Sequence, residues 1–262
     1  MPRQSEFHEL QRLTTIQSVM HLDSVGSTND VAGQWSARLV DADLPAIVIA
    51  DAQTSGRGRG QNRWWSGPGA LICSVLLRPA AYGVPVARWP TLSLTVGVSL
   101  ALSLRRLLPA QDFRVKWPND VYCNRRKLAG ILLEPCADGA RIVAGVGLNL
   151  ANSLVGAPRE VVDRAVSLCD LDDGAPPTRL TLLTCFLNQF TMDLERLASG
   201  DRSLAADWRE LCLLGGGHVA VLDLGGTVAG TCLGIDDDGA LLVQTVGGVK
   251  RQFSGTVVEF DG

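Results

Sequence analysis

Charged residues in the segment 116–134 fall at the ends of predicted β-strands. Phe113, Val115 and Trp117 alternate as they would in a strand, so the lysine between the last two should point to the opposite face. This lysine, Lys116, would then be a positive charge held in place by packed neighbours. Such a group suits the binding of a phosphate; the alternative is a solvated lysine at a strand end.

A turn follows this strand and leads to two more charged positions. Pro118 has no N–H to donate to a strand ladder, and Asn119 and Asp120 favour turns. Lys127 then begins the run 128–133, which is apolar enough for an interior strand. Two lysines and an acid at the ends of packed strands favour a phosphate site. The alternatives are a simple turn for Asp120 and an exposed hairpin charge for Lys127.

A loop rich in glycine and arginine, residues 53–66, follows the apolar run 46–50. Its glycines allow backbone N–H groups to approach an anion, and its arginines supply forked donors for phosphate or carboxylate. We expect this loop to be mobile without a ligand and to become ordered over bound negative charge. Alternating Gly and Arg also occurs in disordered RNA-binding segments. The loop and the lysine motif together are more specific than either alone.

Composition limits the classes of protein to consider. The chain has 262 residues, 46% of them hydrophobic, which is enough for one medium domain and a small one. Its net charge of −3, from 24 basic and 27 acidic residues, argues against a general nucleic-acid binder. The N-terminus lacks the apolar core of a signal peptide, and no run of about 18 apolar residues predicts a membrane span. We therefore expect a cytoplasmic protein with no membrane partner.

Seven cysteines are widely spaced, odd in number and without a Cys-x-x-Cys pair. Several lie inside apolar runs, which indicates small buried side chains in a reducing compartment. With three histidines in the chain, a metal site built by the protein is not expected.

Hydrophobic periodicity predicts a lead over residues 1–20, then a helix capped by Ser27 or Thr28, and a helix opened by Pro90 with leucines on one face. The helix capped by Ser27 or Thr28 is expected to end near residue 39. The strands expected before residue 214 lie at 46–52, 70–78, 113–117, 127–134 and 141–149. A loop with one short helix is expected at 151–177, and helices are expected at 178–198 and 201–213.

The sequence pattern changes after the glycines at 215–217, where short predicted strands alternate with Gly-containing turns. This pattern is typical of a small β-barrel. The sequence thus predicts two domains, 1–212 and 213–262. The expected strands of the second are His218–Leu222, Thr227–Ile235, Leu241–Thr245, Lys250–Ser254 and Thr256–Phe260.

Five short blocks together resemble the biotin protein ligases, and the similarity runs from about residue 20 to the C-terminus. The blocks are Gly26-Ser-Thr-Asn29, Gln53 with Gly56-Arg-Gly-Arg59, Lys116-Trp-Pro-Asn-Asp120, Lys127-Leu-Ala-Gly-Ile-Leu132 and Gly145-Val-Gly-Leu-Asn149. The resemblance implies an α+β fold: a central mixed, largely antiparallel sheet flanked by helices, like that of class II aminoacyl-tRNA synthetases, with a C-terminal SH3-like β-barrel.

The resemblance also implies a reaction in two steps. Biotin is activated by ATP to biotinyl-5′-AMP with release of pyrophosphate, and is then transferred to a lysine of a biotin carboxyl carrier protein. ATP and Mg²⁺ are the implied cofactors and biotin is a substrate, with Mg²⁺ expected to arrive with ATP. A homodimer is compatible with the family.

Roles for individual residues follow from the matched blocks. The catalytic residues implied are Lys116, Asp120 and Arg59. The biotin-binding residues implied are Ser27, Thr28, Asn29, Gln53, Arg57, Gly58, Arg59 and Lys127. The residues implied for ATP or the adenylate are Arg57, Arg59, Trp64, Lys116, Asn119 and Asn149. Ser27 or Thr28 could instead serve as an ordinary helix cap, and Trp64 could belong to the core. Gln61 and Asn62 depart from the family pattern, which bears on retention of the adenylate.

Three rival interpretations are open to test. A lipoate ligase or octanoyltransferase would show an arginine-, glycine- and histidine-rich block that this sequence lacks. A biotin-responsive repressor needs a winged helix-turn-helix, and we expect a monofunctional ligase because only about 25 residues precede the first block. A passive biotin-binding module would not need two lysines, an acid and a basic loop around one site.

Overall fold

Seven strands form the larger of two sheets. The computed structural model of the chain describes residues 2–171 and 174–261. The strands are β1 (Ser18–Leu22), β2 (Ala46–Ala50), β3 (Leu71–Leu77), β4 (Phe113–Lys116), β5 (Asp120–Cys123), β6 (Arg126–Pro135) and β7 (Ile142–Leu148). They lie in the order β1-β2-β3-β7-β6-β5-β4, with β1 parallel to β2 and every other neighbour antiparallel. The predicted mixed, largely antiparallel sheet is confirmed.

Helices cover the two faces of this sheet unequally. They are α1 (Pro2–Leu13), α2 (Thr28–Ser36), α3 (Leu92–Leu107), α4 (Arg159–Val162), α5 (Arg179–Ser199) and α6 (Arg202–Leu211). Helices α3, α5 and α6 pack together on the face that carries Ile47, Val115 and Ile131, in the main core. Helix α2 packs on the opposite face, against Val48 and Leu76. The rest of that second face is left for a cleft.

Helix α3 shows why the main core forms. Leu92, Val96, Leu100 and Leu104 recur every four residues, and all four are fully buried. Burial of each such side chain stabilises the fold by roughly 1.5–3 kcal/mol. The predicted helix is confirmed, although a 3₁₀ turn at Val86–Thr91 contains Pro90 and α3 begins after it.

Three sequence predictions need correction. The lead over residues 1–20 contains α1 and β1. Both were hidden because α1 is mostly polar, with Leu10 as its buried anchor, and because every residue of β1, an edge strand, is only half-buried. The turn expected at Asp120 is the first residue of β5, which makes a three-stranded meander of β4, β5 and β6. The helix expected to reach residue 39 ends at Ser36.

The stretch 151–177 contains the short helix α4, as expected. Within it, residues 172 and 173 lie outside the described residues, as do the outermost positions of the two predicted domains, 1 and 262. No helix in the described part of the chain combines the length and apolar character needed to cross a membrane.

The smaller sheet is antiparallel and has five strands in the order β11-β10-β9-β8-β12. Its strands are β8 (His218–Asp223), β9 (Gly226–Ile235), β10 (Leu241–Thr245), β11 (Gly248–Gln252) and β12 (Thr256–Phe260). All five predicted strands are present within two residues of their expected ends. The sheet is joined to the larger part by hydrogen bonds, including one of 3.1 Å from Trp117 Nε1 to the carbonyl of Gly239. Gly239 has φ +84°, and a Cβ there would lie 2.8 Å from Thr91 Cγ2, so this turn requires glycine.

Candidate active site

A row of cross-strand neighbours crosses the open face of the larger sheet. Each residue pairs with the next on the adjacent strand, so all project to the same side. In order they are Lys116, Asp120, Gly130, Gly147 and Ile72. Charges therefore stand at one end of the row, and glycines leave a floor without side chains in the middle. Above this floor lies a cleft of about 400 Å³.

A β-bulge brings Lys127 to the same side as Asp120. The register of β5 and β6 shifts at Val121–Tyr122, so that Lys127 pairs with Tyr122 and Leu128 is the additional residue. Without this extra residue Lys127 would point to the opposite face, since successive side chains alternate. Its Nζ instead lies 2.8 Å from Asp120 Oδ1, and the two form an ion pair.

Lys116 stands at the charged end in a partly desolvated position. Its Nζ lies 4.6 Å from the centre of the Phe260 ring and 5.9 Å from that of Tyr122. Burial lowers the pKa of Lys116 and is the largest cause of the shift, while the charge of Asp120 acts in the opposite direction. The positive charges of Lys127 and Arg164 lower this pKa further. Like charges therefore converge here, which favours a bound anion.

A polar network lies at the other end of the cleft, where α2 begins. The backbone N–H of Thr28 donates to Gln53 Oε1 at 2.9 Å. Ser74 Oγ donates to Asn29 Oδ1 at 2.6 Å and approaches Thr28 Oγ1 at 2.8 Å. Ser27 occupies the N-cap position but makes no side-chain capping hydrogen bond. Gln53 therefore satisfies a helix-start N–H, and the short polar side chains are left to face the cleft.

Glycine at position 145 makes this network possible. A Cβ there would lie 2.2 Å from Asn29 Oδ1, a distance that no side chain tolerates. Asn29 Nδ2 donates on its other side to Glu134 Oε2 at 2.8 Å and to the carbonyl of Leu132. The amide of Asn29 is thus fixed from three sides.

The glycine- and arginine-rich segment forms a small hairpin, residues 56–64. Gly58 N donates to the carbonyl of Asn62 at 2.7 Å, and Trp64 N donates to that of Gly56 at 3.0 Å. Asn62 Nδ2 also binds the carbonyl of Arg59, at 2.9 Å. Asn62 follows Gln61, which stands where the family frequently has glycine, and its side chain supplies a bond that helps to close the hairpin. The expected mobility of this loop remains a prediction.

Two of the three arginines of this hairpin, Arg57 and Arg59, have different partners. Arg57 donates to both oxygens of Glu134 at 2.7 and 2.6 Å and to Asp30 Oδ1 at 2.6 Å. The hydrogen bonding of Arg57 to the Glu134 carboxylate is the main cause that raises the pKa of Arg57. Arg59 Nη1 instead donates to the carbonyl of Gly255, at 2.6 Å. Arg57 is thus electrically compensated, whereas Arg59 reaches a neutral carbonyl in the C-terminal sheet.

Trp64 lies flat against the glycine floor. A Cβ at Gly147 would be 2.4 Å from Trp64 Cε2, and one at Gly130 would be 3.3 Å from its ring. The ring also lines the cleft, and its Nε1 is buried without a hydrogen-bond partner. Both interpretations of Trp64, as a packed ring and as a cleft wall, fit this position.

Two asparagines support the floor from its margins. Asn119 Nδ2 donates to the carbonyl of Ile131 at 2.7 Å, and Asn149 Nδ2 donates to that of Val166 at 3.2 Å. Asn149 is only 2% exposed. Both line the cleft while fixing the backbone beside it.

All thirteen residues singled out from the sequence line this one cleft. They are Ser27, Thr28, Asn29, Gln53, Arg57, Gly58, Arg59, Trp64, Lys116, Asn119, Asp120, Lys127 and Asn149. The lysines and the arginine hairpin thus share one cavity.

Sequence reasoning missed five residues at or beside the site: Ser74, Tyr122, Glu134, Arg164 and Phe260. Ser74 and Glu134 carry a signal, because each is a polar residue within an apolar strand. Arg164 follows α4 in a stretch without periodicity, and Phe260 comes from the far end of the chain.

A separate cluster of His21, Asp23 and Asp51 has three ligand-type atoms within 4.8 Å of one another. It lies outside the cleft. Arg179 Nη1 donates to Asp51 Oδ1 at 2.9 Å, and His21 Nε2 lies 3.1 Å from the same oxygen. Protein side chains therefore already bind the Asp51 carboxylate.

Comparison with known proteins identifies the class. Residues 23–149 match the Biotin/lipoate A/B protein ligase family, and residues 214–261 match the Biotin protein ligase C terminal domain. The biotin–[acetyl-CoA-carboxylase] ligase of Mycobacterium tuberculosis is 36% identical over 90% of this chain and 88% of its own length. The bifunctional ligase/repressor BirA of Escherichia coli is 32% identical over 92% of this chain and 73% of its own.

A solved structure gives the same result. The biotin protein ligase of Aquifex aeolicus, in complex with biotin and ATP, has a TM-score of 0.79 and 28% identity, and the match covers 94% of this chain and 98% of that one. The chain belongs to the biotin protein ligase family.

Proposed function

We propose that this protein is an ATP-dependent biotin protein ligase. It activates biotin to biotinyl-5′-AMP with release of pyrophosphate and then transfers biotin to a lysine of a biotin carboxyl carrier protein. The observation that carries this proposal is the single cleft, which joins an unpaired lysine end, a glycine floor and a fixed polar network.

The first step suits the charged end of the cleft. A carboxylate oxygen of biotin forms a bond to the α-phosphorus of ATP, and the bond to the pyrophosphate oxygen breaks. The protein contributes mainly position and charge to such a transfer. Lys116 is the cation assigned to the carboxylate and α-phosphate, because it combines partial desolvation with the absence of a direct ion pair among the described residues.

The second step uses the same end. The amine of the acceptor lysine attacks the carbonyl carbon of the mixed anhydride, the bond to AMP breaks, and the amine loses a proton. Asp120 is assigned to accept or direct this proton, since it is the carboxylate beside Lys116. Its ion pair with Lys127 holds the carboxylate in position.

The polar network is assigned to the head of biotin. The ureido group of biotin carries donors and acceptors that need partners when buried. Ser27, Thr28, Asn29 and Gln53 offer short, fixed side chains at the start of α2. The apolar ring and chain of biotin are assigned to the part of the cleft between this network and Lys116, beside the ring of Trp64.

The hairpin is assigned to closure over the ligand. Arg57, Gly58 and Arg59 line the cleft and are assigned to this closure. Trp64, Asn119 and Asn149 also line it and are assigned to the nucleotide.

Mg²⁺ is proposed to accompany the phosphates of ATP. Asp120 and Glu160 are the carboxylates among the residues that line the cleft, and Asp120 is already paired with Lys127. This donor set fits a hydrated ion held mostly by phosphate rather than a cage of protein ligands. Bound there, Mg²⁺ would neutralise phosphate charge.

We also propose the division into a catalytic domain, 1–212, and a C-terminal domain, 213–262. The change from the first sheet to the second between Ile142–Leu148 and His218–Asp223, with α5 and α6 before it, supports this boundary. A cytoplasmic location, the absence of nucleic-acid and membrane partners, and a homodimer remain predictions. Gel shift with operator DNA and sedimentation address the partner predictions.

Intact-mass analysis of a carrier domain tests the proposal most directly. Incubation with ATP, Mg²⁺, biotin and the protein should add one biotinyl group to the acceptor lysine. Lipoate in place of biotin is the control, because it separates this function from that of a lipoate ligase. Pyrophosphate release with lipoate but not with biotin would contradict the proposal, as would biotin binding without ATP turnover.

A further inference from the structure

The last strand of the chain crosses the mouth of the cleft. At its start, the carbonyl of Gly255 accepts a hydrogen bond from Arg59, and Thr256 and Val257 line the cavity. At its end, the ring of Phe260 lies 4.6 Å from Lys116 Nζ. One strand of the C-terminal sheet therefore touches both the arginine hairpin and the lysine assigned to catalysis.

Phe260 and Tyr122 form two walls beside Lys116. Their ring centres are 6.3 Å apart and their planes meet at 88°, an edge-to-face arrangement that aromatic pairs prefer. Lys116 Nζ lies within about 6 Å of both rings, the range in which a ring attracts a cation. Tyr122 belongs to β5 and Phe260 to β12, so the enclosure is built from two sheets.

The backbone around Phe260 is held on both sides. Phe260 pairs with Val219 in the ladder of β8 and β12. The next residue, Asp261, exchanges hydrogen bonds with His218, at 3.1 Å through its N–H and at 2.7 Å through its carboxylate. Arg125, in the turn between β5 and β6, donates to the carbonyl of Asp261 at 2.6 Å. The ring is therefore clamped relative to both sheets.

We infer that Phe260 is a positioning residue for Lys116 and that the C-terminal sheet thereby completes the active site. This inference rests on the proposed function. A lysine ammonium sits on a flexible four-carbon stem, so its position must be fixed by what surrounds it. Phe260 closes the side of Lys116 that the larger sheet leaves open, removes water from it and directs the ammonium toward the cleft.

Four charged or titratable groups surround Lys116: Asp120, Lys127, Arg164 and Tyr122. Asp120 raises its pKa, and Lys127 and Arg164 lower it, while burial is the largest effect and lowers it. Tyr122 faces it with a hydroxyl whose pKa burial raises. Loss of the Phe260 ring would reduce burial, so the pKa of Lys116 should rise toward its ordinary value.

Phe260→Ala removes the aromatic ring beside Lys116, and Phe260→Tyr keeps it. The rate of biotin-dependent exchange of pyrophosphate into ATP should fall about three- to tenfold in Phe260→Ala, in proportion to a cation–ring contact at a partly desolvated site. Phe260→Tyr keeps the ring and should retain the rate. In Phe260→Ala the alkaline limb of the pH–rate profile, where Lys116 loses its proton, should move to higher pH.

Phe253→Ala is the matched control. Phe253 lies in the connection between β11 and β12, is 59% exposed, and its ring is 5.3 Å from the guanidinium of Arg251, outside the residues that line the cleft. This variant should leave both the rate and the pH profile unchanged. If Phe260→Ala does not fold, Arg125→Gln loosens the clamp without touching the ring, and should give a smaller loss with the same direction of pH shift.

The outcomes distinguish the role of Phe260 from the proposed ligase function. A wild-type protein that exchanges pyrophosphate, with a rate and a pH limb unchanged in Phe260→Ala, overturns the inference and leaves the proposed function in place. A loss of rate without any movement of the pH limb overturns the positioning role and indicates a structural one. A wild-type protein with no biotin-dependent exchange overturns the proposed function itself.

Discussion

Two positively charged regions face the same cleft, and they are held in different ways. The lysine cluster, defined as Lys116, Asp120 and Lys127, is built on β4, β5 and β6. The arginine hairpin, residues 56–64, is a loop closed by its own backbone hydrogen bonds. In the cluster, Lys116 has no direct ion pair among the described residues. In the hairpin, Arg57 is paired with two carboxylates.

This difference indicates a division of labour. Strands fix side chains before the ligand arrives, so the lysine cluster offers charge that costs little reorganisation when phosphate charge develops. In the hairpin, Arg57 must exchange carboxylate partners when an anion binds, and Arg59 must leave a carbonyl of the C-terminal region. The cluster should therefore govern the rate of chemistry, and the hairpin should govern retention of the ligand.

Of the replacements considered, that of Lys116 should reduce the rate of chemistry most. Lys116→Ala should lower biotin-dependent pyrophosphate exchange by about 10³-fold, because it removes the preorganised charge at the reacting phosphate. Lys250→Ala is the control, since Lys250 is the only lysine outside the cluster in the sequence and is exposed on β11. Exchange at the wild-type rate in a folded Lys116→Ala protein would show that the cluster does not carry the chemistry.

Replacement of Asp120 should reduce the rate less and change its pH dependence. Asp120→Asn should lower transfer to the acceptor by about 10²-fold, the lower range for loss of a positioned acid–base group. The negative charge of Asp120 raises the pKa of Lys116, so its removal should lower that pKa. The alkaline limb of the pH–rate profile should then move to lower pH.

Asp163→Asn is the matched control for this change. Asp163 belongs to an exposed pair, with Arg159 94% and Asp163 62% exposed, and such pairs contribute little. A pH limb that moves upward in Asp120→Asn, or moves equally in Asp163→Asn, would contradict the assignment of the charge that acts on Lys116.

The hairpin should affect retention of the intermediate. Arg59→Ala should raise the rate at which biotinyl-5′-AMP leaves the protein roughly tenfold, the effect of one hydrogen bond to a charged group. Rapid-quench and filter separation of the adenylate measure this rate. Arg12→Ala, which removes an exposed arginine of α1, should leave it unchanged. An unaltered release rate in Arg59→Ala would remove the distinction between hairpin and cluster.

Alternation and turn residues predicted the central strands closely. The run 46–50 is uniformly apolar and the run 71–77 is apolar except for Ser74, and such runs predict strands buried on both faces. Every residue of both strands is buried in the structure. Edge strand β1 and helix α1 were missed because half-buried, polar elements carry weak periodicity. The residues that line the cleft could be selected from the sequence because lysines, arginines and glycines stand beside or within apolar strands.

The contacts between those residues were less predictable. The bulge at Leu128 decides which way Lys127 points, yet the run around it is uniformly apolar and shows no break in its pattern. Phe260 reaches Lys116 across 144 positions of sequence (260 minus 116), and only the docking of the second sheet brings them together. Local patterns therefore identify the groups, and tertiary packing decides their partners.

Glu134 links the arginine hairpin to the polar network at α2 and allows the finest comparison. Its carboxylate accepts bonds from Arg57 and from Asn29 Nδ2, at 2.8 Å for the latter. Glu134→Gln keeps the volume and removes the charge, so the hold on Asn29 and Arg57 should weaken together. KM for biotin should rise about two- to fivefold with little change in kcat, as expected for a partly exposed charged pair.

Asp30→Asn separates the two effects of Glu134. Asp30 also binds Arg57, at 2.6 Å, but among the described contacts it makes none with the side chain of Asn29, so this variant should loosen the hairpin and leave KM for biotin unchanged. If both variants raise KM equally, Arg57 rather than Asn29 transmits the effect, and the hairpin takes part in biotin recognition directly. If only Glu134→Gln raises KM for biotin, the polar network at α2 recognises biotin and the hairpin retains the adenylate. Glu134 would then connect the two functions, because its carboxylate binds both Asn29 and Arg57.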